Sequence, residues 1–125
     1  MDALEIAEAL SKAITTRNLS SVVALYTDHT TVWHSYTGVE QNLVATLKFL
    51  GDYFSTVETI GYHDVRRTRT EDGYVQQHTL TTTFKDGSEL VPRAVCIVAR
   101  IEGGKIVRID EYLEARRTAV KAAAD

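Results

Sequence analysis

Sulfur and proline are scarce in this chain: one cysteine, Cys96, one proline, Pro92, and one methionine, at position 1. A lone cysteine cannot close an intrachain disulfide, which excludes a small secreted fold held by disulfides and leaves a reducing, cytoplasmic setting as the expectation. With one proline and no low-complexity stretch or repeat, nothing divides the chain, and residues 1–125 read as a single domain. Long apolar runs are also missing, so no membrane span is expected. The opening "MDALEIAEALSKAI" carries acids where a secretory leader needs bases. Neither sign of charge is concentrated: 14 Lys and Arg face 17 Asp and Glu, for a net charge of -3. A nucleic-acid footprint needs a basic face, and the nearest candidates, Arg66, Arg67 and Arg69, run straight into Glu71 and Asp72 as a solvated hairpin edge. Glycine-rich phosphate loops are absent, because each glycine cluster fits a hairpin turn.

What is present is 44% hydrophobic and 25% charged residues, enough for one core in a soluble globular domain. Leu4, Ala7, Leu10, Ala13 and Ile14 recur at three- and four-residue steps and predict an amphipathic helix. Asn18 caps a second, short helix with Leu19, Val22, Val23 and Tyr26 on one face, ending near Asp28 and His29. "TTVWHS" has the β-branched and aromatic content of a short strand. Thr37-Gly38-Val39-Glu40 fits a capping box, launching a helix to about Phe54 that buries Val39, Leu43, Leu47, Leu50 and Phe54. From residue 57 the period becomes two. Glu71-Asp72-Gly73, Asp86-Gly87 and Gly103-Gly104 then divide the rest into antiparallel strands near 57–70, 74–85, 89–101 and 105–114. "EARRTAVKAAAD" reads as a helical or frayed tail.

Helices packed against one long meander make an α+β fold: a cone-shaped, curved antiparallel sheet wrapped around three N-terminal helices, with a pocket on its concave side. This order, with "NLSSVVALYTDHTTVWH" after the first helix and "GGKIVRIDEYLEA" at the end, resembles the nuclear transport factor 2-like superfamily. Within it the chain looks like the SnoaL-like branch, beside ketosteroid isomerases, scytalone dehydratases, limonene epoxide hydrolases and polyketide cyclases. The resemblance covers nearly the whole chain. It implies the cone and a small hydrophobic ligand, but not one reaction, since the scaffold hosts many. The isomerases' proton-shuttling aspartate falls on His34, their oxyanion-stabilising tyrosine on Leu10 and their second acid on Cys96, so that triad is not carried over.

Alternation puts Tyr74, Gln76, His78, Leu80, Thr82 and Phe84 on one side of their strand, as pocket wall. In the last strand only one of Asp110 and Glu111 can point inward. SnoaL-like enzymes similar to this chain carry a catalytic aspartate there, which favours Asp110 and places Tyr112 beside it. His34, at the inner end of the first strand, completes a catalytic set of His34, His78 and Asp110. Tyr26, Trp33, Tyr53, Tyr74, Cys96 and Tyr112 form the substrate-binding wall and rim, although Trp33 packs outward if His34 points in. An imidazole beside a carboxylate suits proton transfer near neutral pH, so dehydration or double-bond isomerisation of a steroid-, terpenoid- or polyketide-like molecule is expected.

Such chemistry needs no cofactor. Two His and one Asp match the ligand types of a mononuclear metal triad, but no HxD or HxxxH spacing supports it, and no metal is expected. Cys96, in an apolar strand without a basic neighbour, is a poor nucleophile. Two alternatives stand: epoxide hydrolysis in the same cavity, which would want Arg93 inward beside a carboxylate, and a non-catalytic binding or interaction domain. Alternation places Arg93 opposite Cys96, which counts against the first. The strand around 89–101 is apolar on both faces, so a homodimer through the outer sheet face is expected.

Overall fold

The computed structural model describes residues 1–115, so the expected tail beyond Ala115 lies outside the described residues. Helix α1 (Ala3–Thr15) starts at a capping box: Asp2 accepts the Glu5 amide, and Glu5 Oε1 accepts the Asp2 amide, both at 2.9 Å. Its expected stripe is its buried face, with Ile6, Ala7, Leu10 and Ala13 in the core. Helix α2 (Leu19–Leu25) is capped by Asn18, whose side chain accepts the Ser21 amide.

Two junctions depart from the sequence-based expectation. Helix α2 ends at Leu25, and strand β1 (Tyr26–His34) begins at once, rather than after His29. Thr30 Oγ1 accepts the Thr27 amide at 2.8 Å and Thr27 Oγ1 accepts the His29 amide at 3.1 Å, so threonine side chains satisfy the backbone through an irregular start to the strand. The second departure is at Thr37. There is no capping box: Val39–Gln41 is strand β2, folded back antiparallel on β1. Gly38 sits at φ +69, a turn conformation that costs little without a Cβ, and Thr37 Oγ1 accepts the Val39 amide inside that turn. The helix starts later, as α3 (Leu43–Thr56), capped by Asn42. Val39 is consequently exposed instead of leading the buried stripe.

The four long strands occur nearly as expected: β3 (Val57–Arg69), β4 (Gly73–Phe84), β5 (Arg93–Glu102) and β6 (Lys105–Leu113). Gly103 and Gly104 both take positive φ, as a two-residue hairpin turn between β5 and β6 requires. The six-stranded sheet runs β2-β1-β6-β5-β4-β3. It is mixed, not wholly antiparallel, because β1 lies parallel to β6. Pairing shifts register between His63 and Arg66, with Asp64 in the left-handed region at φ 53, and such bulges bend a long strand. The curved sheet and helices enclose one cluster around Ile6, Leu10, Tyr74, Ile97 and Ile106, and a second around Phe54, Val57 and Ile60. Among the described residues no helix is long and apolar enough to cross a membrane.

Candidate active site

The parallel pair β1–β6 creates the site. In its register His34 is the partner of Glu111, and Trp33 the partner of Asp110. Side chains alternate across a strand, so one pair faces the concave side and the other faces out. Val32, His34 and Ile109 are buried, and with Glu111 and Leu113 they line the cavity. His34 Nε2 lies 3.2 Å from Glu111 Oε1, with the two side chains only 10% and 22% exposed. The imidazole packs in tilted contact with two aromatic neighbours, Tyr36 and Phe49, at ring-centre distances of 5.2 and 5.6 Å. A carboxylate on Nε2 fixes the ring's orientation and leaves Nδ1 as the second proton-transfer position.

This pair opens on a cavity of about 620 Å³ whose walls are mainly aliphatic and aromatic, with Tyr26, Tyr36, Phe49, Tyr53 and Tyr62 among them. Its polar groups are few: the His34–Glu111 pair, Thr46, Arg93 and Glu114, besides the tyrosine hydroxyls. Burial pushes Tyr26 and Tyr62 well up from the ordinary phenol range, and the Glu111 charge adds to both. Tyr53 is raised for the same first reason, partly offset by its hydrogen bond to Thr82 Oγ1 at 2.7 Å. These phenols are therefore protonated donors, suited to hydrogen-bonding an oxygen that gains charge.

His78 is inward and 4% exposed, but it stands behind the cavity wall. Its ring stacks on Tyr62 with centres 3.8 Å apart. Arg67 Nε donates to Gln76 Oε1 at 2.8 Å, which turns the Gln76 amide nitrogen toward His78 Nδ1 at 3.0 Å. Nδ1 is then an acceptor, and the proton sits on Nε2. Burial pushes this imidazole down to about 4, with Glu111 opposing and Arg67 adding to the shift. A neutral His78 supports Tyr62 from behind, and its contact to the reaction space runs through that ring.

Asp110 is the main correction. It lies on the outer face, where Arg108 Nη2 donates to it at 2.8 Å while Arg108 Nη1 reaches Glu40 at 2.7 Å. Residues 108 and 110 share a face by alternation, so this pair is local, and the carboxylate that meets His34 is Glu111. Tyr112 and Trp33 are likewise outside, packed edge to face with ring centres 5.2 Å apart. Cys96, register partner of Tyr112, is on that outer face too. Tyr74 points inward but is 1% exposed within the core cluster and does not reach the cavity. Of the expected wall, Tyr26 and Tyr53 line it.

Glu111, Tyr62, Arg93, Tyr36, Phe49 and Thr46 were not among the expected site residues. Glu111 was detectable: it alternates with Ile109 and Leu113, the aliphatic members of β6, whereas Asp110 alternates with Arg108. Arg93 does lie opposite Cys96, but that side is the cavity side, shared with Val95 and Ile97. None of the ion pairs among the described residues includes it, so it is inward without being paired to a carboxylate. Among the described residues no group of three His, Cys, Asp or Glu is placed to hold a metal ion.

A curved mixed sheet closed on one side by helices around an apolar cavity is the cone of the nuclear transport factor 2-like fold. Residues 7–109 match the SnoaL-like domain family, and the chain belongs to that family. Solved structures agree on the fold. A protein assigned as a SnoaL-like polyketide cyclase from Shewanella denitrificans superposes with a TM-score of 0.85 at 8% identity, covering 98% of each chain. A protein assigned as a polyketide cyclase from Pseudomonas putida gives 0.82 at 16% identity and 97% of each chain. A ketosteroid isomerase-like fold from Catenulispora acidiphila, in complex with trimethylamine, gives 0.80 at 14% identity, covering 98% of this chain and 95% of that one. No protein with a curated function matches.

Proposed function

We propose that this SnoaL-like domain binds a hydrophobic small molecule and catalyses dehydration or double-bond isomerisation by acid–base chemistry without a cofactor. One observation carries the reading: His34 and Glu111 meet at 3.2 Å on the wall of an otherwise apolar cavity. In this scheme Glu111, oriented by His34, removes a proton from a carbon next to a carbonyl. The electrons move into the carbonyl, and the developing oxyanion takes hydrogen bonds from tyrosine hydroxyls, Tyr62 foremost. The proton returns to a more distant carbon in isomerisation. In dehydration it leaves with a β-hydroxyl as water. Placed acid–base groups contribute about a hundredfold to ten-thousandfold in rate.

Turnover of a panel of β,γ-unsaturated ketones and β-hydroxy ketones tests this. Glu111→Gln should lower kcat by about a hundredfold or more, and His34→Ala should act in the same direction. Unchanged turnover in both variants would remove the pair from the mechanism. Epoxide hydrolysis is the second reading, favoured by Arg93 on the cavity wall; formation of a diol from an epoxide probe, lost with Glu111→Gln, would select it. We also propose that the outer sheet face pairs with a second copy of the chain, because Val98 and Tyr112 are 39% and 49% exposed there beside Trp33.

A further inference from the structure

Arg93 is the first residue of β5, opposite Leu80 in the β4 ladder, and its side chain lines the cavity with Tyr36 and Tyr53. Among the described residues that line the cavity it is the only Lys or Arg. Its Nε is buried and has no hydrogen-bond partner. The two carboxylates among the described lining residues are engaged elsewhere: Glu111 faces His34, and Glu114 Oε1 accepts the Ala94 amide at 3.0 Å. A guanidinium turned into an apolar wall with an unanswered N–H is costly, and an oxyanion is the group whose geometry answers it best, through two parallel hydrogen bonds. Arg93 and Glu111 act with opposite sign on the hydroxyls of Tyr36 and Tyr53, so a molecule beside these tyrosines is within reach of both the cation and the acid–base pair. Thr46 Oγ1, also buried, unpartnered and lining the cavity, offers a second polar contact for a bound molecule.

We infer that the substrate class is an apolar small molecule carrying a carboxylate, with Arg93 holding the anionic end while the reacting carbon lies at the His34–Glu111 pair. The inference rests on the acid–base reading for the position of the reacting carbon, but the anion preference stands on Arg93 alone. A carboxylate here would neutralise the uncompensated cation, and the apolar body would fill the aromatic wall. Arg93 is then a specificity-determining residue.

Calorimetric titration at low ionic strength and neutral pH with three probes on one skeleton tests it: naphthylacetate, naphthylacetamide and naphthylethylamine. The acid should bind about tenfold or more tightly than the amide, a difference of about 1.4 kcal/mol, with the amine weakest. Arg93→Gln should bring acid and amide together while leaving the amide's affinity within about twofold, and Arg93→Lys should keep part of the preference. Equal binding of acid and amide, tighter binding of the amine, uniform weakening of all three by Arg93→Gln, or no binding of any probe would overturn the inference. An Arg93-dependent acid preference that persists alongside undiminished turnover in Glu111→Gln would instead remove the acid–base reading and leave this one standing.

Discussion

His78 makes the stability of this protein depend on pH in a defined window. Its imidazole is buried, accepts the Gln76 amide on Nδ1, and is pushed down to about 4 from the usual 6.5. In the unfolded chain that group binds a proton as pH falls below 6.5, whereas in the folded chain it stays neutral until about 4. Acid therefore favours the unfolded state. The His78 contribution is fully present above 6.5 and is lost as pH falls toward 4, and it amounts to about 2 kcal/mol between pH 7 and pH 5. Urea unfolding of wild type, His78→Phe and His78→Gln at pH 7, 6 and 5 isolates this term, because the remaining titrating groups are common to all three chains. His78→Phe keeps a ring on Tyr62, and His78→Gln keeps a polar partner for Gln76, so neither variant need resemble the other in absolute stability. Both should show a pH dependence flatter than wild type by about 2 kcal/mol over that range. Parallel curves in all three would show that His78 is not held neutral by burial, and the Arg67–Gln76–His78 chain would lose its assigned proton positions.

Other outcomes follow from local geometry. A Cβ at Gly73 would sit 1.9 Å from the Ala99 carbonyl oxygen, a backbone atom of the neighbouring strand. Gly73→Ala should therefore destabilise by about 1–3 kcal/mol in the same urea assay, and a neutral effect would contradict the close β4–β5 approach. Asp110→Asn alters a partly exposed outer-face ion pair, so stability should change by less than about 1 kcal/mol. Sedimentation should give a dimer for wild type, shifted toward monomer by Tyr112→Glu on the outer face; a wild-type monomer of 13.9 kDa at micromolar concentration would refute the interface.

Much of the fold was legible because hydrophobic period and turn chemistry agree along the chain. The stripe of α1 at three- and four-residue steps and the period-two strands after residue 57 each specify an element, and the glycine turns fix where strands end. The junctions were harder. Thr37-Gly38-Val39-Glu40 has the composition of a capping box, but a glycine at positive φ followed by pairing to β1 wins over helix initiation. The parallel placement of β1 beside β6 is a long-range choice that no local pattern encodes, and it decides which residues meet across the two strands. For the site, alternation in β6 separated Asp110 from Glu111 cleanly. The analogy to enzymes with an aspartate in that strand selected Asp110, whereas the aliphatic company of Ile109 and Leu113 marks Glu111 as the inward residue. His34 was legible from its strand position. Tyr62 and Arg93 were not, because a bulged β3 and an apolar-on-both-faces β5 give no polarity signal for their inner sides.

The proposed chemistry makes Glu111, not Asp110, the cavity's proton carrier with His34. Deuterium incorporation at the carbon next to the carbonyl of a cavity-sized ketone, followed by NMR in D₂O, reads proton removal without knowledge of the natural substrate. Wild type and Asp110→Asn should exchange that position at similar rates, with Glu111→Gln slower by about a hundredfold or more. Exchange that survives in Glu111→Gln but is lost in Asp110→Asn would instead make Asp110 the proton carrier.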